Sequence, residues 1–126
     1  MTMNRLSNTK NPYQGTAKKV LCVCSGGLLR SPTAAEVLSR EPFNFNTRAC
    51  GISDEFSLIL VDDVLLEWAD ELVCFDVNAQ IGLKERTKKP VINLSIPDRF
   101  AFRDKELVST IAERYVQAVK EQGGAA

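Results

Sequence analysis

Four short apolar runs, each separated from the next by a helical pattern, constrain the fold of this chain more than any other feature. They are Val20-Leu21-Cys22-Val23, residues 47–52, Leu72-Val73-Cys74-Phe75 and Val91-Ile92-Asn93-Leu94. Each is too short to stand as a helix, and the near-continuous apolarity is that of strands buried on both faces. Between them, Ser31-Pro32 opens a helix that carries Ala34, Val37 and Leu38 on one face and ends before Pro42, with serine as cap and proline in the first turn. Val61, Val64, Leu65 and Trp68 fall at helical spacing behind Asp62 and Asp63, and residues 78–86 form a third helix. Val108, Ile111, Tyr115 and Val119 line one side of a long final helix, with Glu113, Arg114, Gln117 and Lys120 on the other. Strands that alternate with helices imply an α/β chain with a parallel, doubly wound sheet. Ligands of such sheets bind beyond the carboxyl ends of the strands.

The chain has 126 residues, enough for one domain with a single core. The reading is a flexible polar arm over residues 1–17, one domain over 18–122 and a disordered tail over 123–126. Sixteen basic residues balance sixteen acidic ones, so no net field draws the chain to nucleic acid or to an anionic membrane, and neither is expected as a partner. No apolar run has the length of a membrane span. Four cysteines, Cys22, Cys24, Cys50 and Cys74, lack both metal-site spacing and the density of a disulfide scaffold, which suits a reducing cytoplasm. The absence of histidine removes Ser-His-Asp and Cys-His catalysis and makes a zinc site improbable.

Chemistry concentrates where the first run ends. Cys24 is followed by Ser25, Gly26, Gly27, Leu28 and Leu29, then by Arg30 and Ser31 at the helix start. A thiol of ordinary pKa, roughly 8.5, is a poor nucleophile at neutral pH, and helix N-termini and cations lower that value. This turn offers both. Its backbone N–H groups can converge on one anion in a nest, and the Arg30 fork can hold two oxygens of a tetrahedral guest. The implied reaction is phosphoryl transfer onto sulfur, with Cys24 as nucleophile and Arg30 stabilising the equatorial oxygens. Without histidine the general acid must be a carboxylate on a nearby loop. Asp98 follows the last strand and is placed for it, with Asp104 as the rival. Phe100 and Phe102, on the same loop, could stack on an aryl ring. Cys22 reads as core, Cys50 and Cys74 as buried, and Trp68 as core rather than a substrate platform. Cys50 is also a candidate partner for an oxidised Cys24. Asp76 reads as a helix cap and Lys88-Lys89 as a solvated turn.

These residues resemble the low-molecular-weight protein tyrosine phosphatase family, in its compact bacterial branch. The strongest element is Val-Cys-Ser-Gly-Gly-Leu-Leu-Arg-Ser-Pro-Thr-Ala-Ala-Glu. Leu66-Glu67-Trp68-Ala69-Asp70-Glu71-Leu72, Phe75-Asp76-Val77-Asn78 and Ile96-Pro97-Asp98 support it. The resemblance implies a three-layer fold, a four-stranded parallel sheet with helices on both faces. It implies Cys24 as nucleophile and Arg30 as phosphate clamp. The Ser31 hydroxyl would donate to the thiolate, Asp98 would be the acid, and no cofactor or metal would take part. Residues 25–31 and Phe100 would bind a substrate that is a phosphorylated protein or small aryl phosphate. Gly27 stands where the family usually has asparagine, Leu29 replaces a protective cysteine, and Arg99 follows Asp98 where the family has proline. Two alternatives accompany this reading: a non-catalytic phospho-ligand-binding module, and an arsenate reductase whose thiol relay would need Cys50 and Cys74.

Overall fold

The computed structural model describes residues 17–24, 30–52, 60–96 and 105–122. The elements run β1 (Lys19–Cys24), α1 (Arg30–Ser39), β2 (Asn46–Gly51), α2 (Asp63–Trp68), β3 (Glu71–Cys74), α3 (Val77–Lys84), β4 (Val91–Asn93) and α4 (Lys105–Gln122). The four strands form one parallel sheet in the order β2-β1-β3-β4. The order reverses beside β1: its successor β2 lies on one side and β3 on the other. That makes the carboxyl end of β1, at Cys24, the switch point where doubly wound sheets hold their ligands.

Alternation along the strands sorts the core into two layers. Val20, Cys22 and Cys24 of β1, Val73 of β3 and Ile92 of β4 pack under α1 and α4, against Ala34, Leu38, Leu107 and Ile111. Leu21 and Val23, Leu72 and Cys74, Cys50 and Val91 face the opposite way, under α2 and α3. A sheet covered on both faces favours apolar residues on both sides of a strand, hence the unbroken apolar run of β1 from Val20 to Cys24. Each large side chain so buried contributes roughly 1.5–3 kcal/mol by leaving water.

Helix boundaries follow local chemistry. Asp62 caps α2 by accepting from the Leu65 N–H at 2.9 Å, and Asp76 caps α3 by accepting from the Ala79 N–H at 2.8 Å. Ser31 departs from its expected place. It is the second residue of α1 rather than its cap, and its hydroxyl is used elsewhere. Two apolar faces also shift. Val64 is 47% exposed while Leu66 is buried, and Val108 is 37% exposed while Leu107 takes its place against the sheet. Adjacent apolar residues leave a helical stripe ambiguous by about 100°, and packing decides between them. Lys88 is exposed as expected, but Lys89 is not merely solvated. Its Nζ donates to the carbonyls of Leu66 and Glu67, both at 2.7 Å, closing the last turn of α2. Trp68 packs against the core with the Arg48 guanidinium 4.0 Å over its ring, and burial lowers the pKa of that arginine. The arm and tail of the domain layout fall outside the described residues, apart from Ala17.

The open edge of β4 is covered by side-chain amides. Asn93 presents both backbone groups away from β3, and Gln122 answers both: Oε1 accepts from the Asn93 N–H at 2.9 Å and Nε2 donates to its carbonyl at 2.9 Å. Gln80 donates to the Val91 carbonyl at 3.2 Å and to Gln122 Oε1 at 3.2 Å. The two glutamines come from helices on opposite faces of the sheet and meet over its rim, occupying groups that would otherwise template another strand. Replacing Gln122 with alanine should cost only about 1 kcal/mol of stability. It should produce concentration-dependent self-association in sedimentation velocity. A variant that stays monomeric at every concentration would show the amides to be ornamental.

Candidate active site

Cys24 is the last residue of β1 and Arg30 the first of α1, so the connection brings both to the carboxyl edge of the sheet. Both are almost fully buried, at 5% and 4% exposure. Cys24 Sγ lies 3.2 Å from Ser31 Oγ in hydrogen-bonding geometry, and the same hydroxyl donates to the Cys50 carbonyl at 3.1 Å. One hydroxyl hydrogen cannot serve two acceptors at once. While it goes to Cys50, the thiol is the donor to Ser31. Once the sulfur is ionised, the hydroxyl turns to donate to it. The N-terminal end of α1, at Arg30, carries the positive end of the helix dipole, which favours negative charge on that sulfur.

The Arg30 guanidinium is turned inward. Its Nη1 donates to the Ile96 carbonyl at 2.8 Å, and its Cζ lies 5.3 Å from the centre of the Phe75 ring. Ile96 is held in turn by its N–H, which donates to the Phe75 carbonyl at 3.1 Å. Just before it, Ser95 adopts a left-handed conformation (φ 54°), with its N–H donating to Asn93 Oδ1 at 2.8 Å. That turn takes the chain off the end of β4 and across the sheet edge to Arg30.

The other cysteines are placed differently. Cys22 shares the face of Cys24 and is core, while Cys50 and Cys74 point into the opposite layer. Burial raises the pKa of all three; Cys22 is further raised by Cys50 and Cys24, and Cys50 by Cys24 and Asp62. The Cys74 thiol is pushed up to about 12, first by burial and then by Asp76. None of the four cysteines is in a disulfide. Among the described residues no group of three or more Cys, Asp or Glu side chains is placed to hold a metal ion, and no helix is long and apolar enough to cross a membrane.

The structure thus brings Cys24 and Ser31 into contact and starts α1 with Arg30 at the same sheet edge. Ser25, Gly26, Gly27, Leu28, Leu29, Asp98, Phe100, Phe102 and Asp104 lie outside the described residues. Reasoning from sequence missed the Ile96 carbonyl, the Phe75 ring and the Cys50 carbonyl. The only available signal was that Phe75 and Ile96 follow strands and therefore belong at the same edge.

No family model and no curated protein matches the chain. A search of solved structures finds a similar fold in the YwlE arginine phosphatase from Geobacillus stearothermophilus. That protein is 19% identical, with a TM-score of 0.58, and the match covers 86% of this chain and 99% of the other. The fold is therefore that of a known α/β architecture, a four-stranded parallel sheet with helices on both faces, as expected from the sequence. At this identity the likeness concerns the fold alone.

Proposed function

We propose that this chain is a cysteine-dependent phosphatase of the low-molecular-weight type. It would hydrolyse phosphotyrosine or other aryl phosphate monoesters through a phosphocysteine intermediate. One observation supports the reading: a cysteine sulfur in contact with a serine hydroxyl and a buried arginine belong to the same carboxyl edge, at the switch point of a parallel sheet. Similarity of fold to a protein described as an arginine phosphatase is consistent with phosphoryl chemistry at this edge.

In the first step the Cys24 thiolate attacks phosphorus and the P–O ester bond breaks. The N–H groups of residues 25–29 and the Arg30 fork hold the equatorial oxygens, while Asp98 gives its proton to the leaving oxygen. In the second, Asp98 takes a proton from water, which attacks phosphorus and breaks the P–S bond. Inorganic phosphate leaves and the thiolate is restored, with the Ser31 hydroxyl donating to it. Phe100 would flank an aryl ring. Four cysteines outside any disulfide suit a reducing cytoplasmic setting. A thiol relay is disfavoured, because Cys50 and Cys74 are buried in the layer facing away from Cys24.

Metal-free hydrolysis of an aryl phosphate tests the proposal. Wild type should turn over and be blocked by vanadate. Asp98→Asn should lose on the order of 10²–10⁴-fold in kcat, most for the poorest leaving groups. Phosphoarginine belongs in the same assay, as the substrate class named for the structural neighbour. Tight binding of a phosphopeptide without turnover would favour the non-catalytic binding module instead.

A further inference from the structure

The geometry points to Phe75 as a positioning residue for oxyanion binding, acting through Arg30. This inference rests on the reading of Arg30 as the clamp. A guanidinium 4% exposed has lost most of its hydration, and something must replace it. Among the groups that do so are the Phe75 ring and the Ile96 carbonyl, and Phe75 also helps to hold the second. The face of its ring, 2% exposed, lies under the guanidinium with 5.3 Å from Cζ to the ring centre, where the aromatic quadrupole attracts a cation. Its carbonyl accepts from the Ile96 N–H at 3.1 Å, which fixes the neighbouring carbonyl that takes Nη1 at 2.8 Å.

The ring therefore sets the height of the guanidinium plane, and the backbone sets its rotation within that plane. Arg30 comes from α1, Phe75 from the end of β3 and Ile96 from beyond β4. A flexible side chain is so fixed by three separate segments of the sheet edge. A fork held in advance gives up less freedom on meeting a tetrahedral anion, and its charge is fully available in a site of low dielectric. Phe75 would touch no substrate atom. An aliphatic side chain of similar volume would fill the same space without the quadrupole, so packing and positioning can be separated.

The experiment places mono-, di- and trifluorinated phenylalanine at position 75 of the full chain, beside Phe75→Leu. Fluorine withdraws charge from the ring face while barely changing its shape. Vanadate binding is read by calorimetry, kcat/KM on an aryl phosphate by rate, and folding by thermal midpoint. Vanadate affinity should fall stepwise with fluorine number, by about 10-fold across the series, and kcat/KM should fall in parallel at constant thermal midpoint. Phe75→Leu should lose at least as much. Affinity that stays flat across the series, with wild type binding vanadate, would overturn the inference and leave the phosphatase reading intact. Ring-dependent vanadate binding by a protein that hydrolyses no aryl phosphate would do the reverse. A wild type that binds no vanadate would overturn both.

Discussion

Replacing Cys24 with serine is expected to abolish turnover, by a factor on the order of 10⁴ or more, while the fold stays intact. The change is nearly isosteric at a site 5% exposed, and a serine hydroxyl can keep the hydrogen bond to Ser31. What it cannot do is ionise near neutral pH, so the nucleophile is lost with the geometry preserved. Alkylation supplies an independent check. Cys22, Cys50 and Cys74 are buried and have raised pKa values, so native protein at pH 8 should take up one equivalent of iodoacetamide, at Cys24, with vanadate protecting it. Cys24→Ser should take up none. The selectivity should erode only as pH approaches 12, where the Cys74 thiol ionises in the native state. Retained hydrolysis in the serine variant, or labelling shared among several cysteines, would remove Cys24 from the mechanism.

The largest stability effect is expected from Glu71→Ala, a loss of about 3–5 kcal/mol. Glu71 opens β3 and is completely buried, the most costly place for a carboxylate unless it is paired. Lys18 Nζ lies 3.2 Å from Oε2 and donates to the Tyr115 hydroxyl at 2.8 Å, while that hydroxyl donates to Oε1 at 2.6 Å. Phe43 and Phe45 pack edge-on against the Tyr115 ring, and the lysine sits 4.5 Å over Phe45. Removing the carboxylate strands a half-buried ammonium and a buried phenol together. Replacing all three members by apolar residues of similar volume, as Lys18→Met, Glu71→Leu and Tyr115→Phe, should be nearly neutral or even stabilising, because the cost of dehydrating the ions goes with them. Denaturant midpoints of the single and triple variants measure both statements. A mild loss in Glu71→Ala would mean that water reaches the triad. The triad lies at the opening end of β3, opposite the edge that holds Cys24, so variants that fold should match wild type in the aryl phosphate assay proposed above.

The sign of its pH dependence follows from the phenol. Burial first, and Glu71 second, hold the Tyr115 pKa above its ordinary value of 10. The unfolded chain therefore releases that proton earlier than the native one. Stability from this group is complete below pH 10 and drains away as pH rises beyond it.

What could be read from residues alone was whatever depends on near neighbours in the chain. Strand runs buried on two faces, Asp76 as a cap, and Cys24 next to Arg30 across a short turn all declare themselves through local pattern, because hydrogen bonding and side-chain spacing act over a few residues, whereas Asp62, expected in the first turn of its helix, is the cap of α2. The carboxyl edge as the site followed from topology, which short strands alternating with helices leave little freedom to vary. Tertiary structure alone decided which apolar stripe of α2 and α4 faces inward, because Val64 and Leu66, or Leu107 and Val108, are equivalent until a sheet selects between them. It alone moved Ser31 from the cap to the second position of α1 and set the Cys50 carbonyl on its hydroxyl, beside the contact with Cys24 that the family resemblance implied. It alone laid Phe75 beneath Arg30, gathered Lys18, Glu71 and Tyr115, and folded Gln80 and Gln122 over the rim of β4. Those contacts join residues as far as 97 positions apart. Their energies come from burial and from the pairing of charge away from water, and neither exists until the chain has closed upon itself.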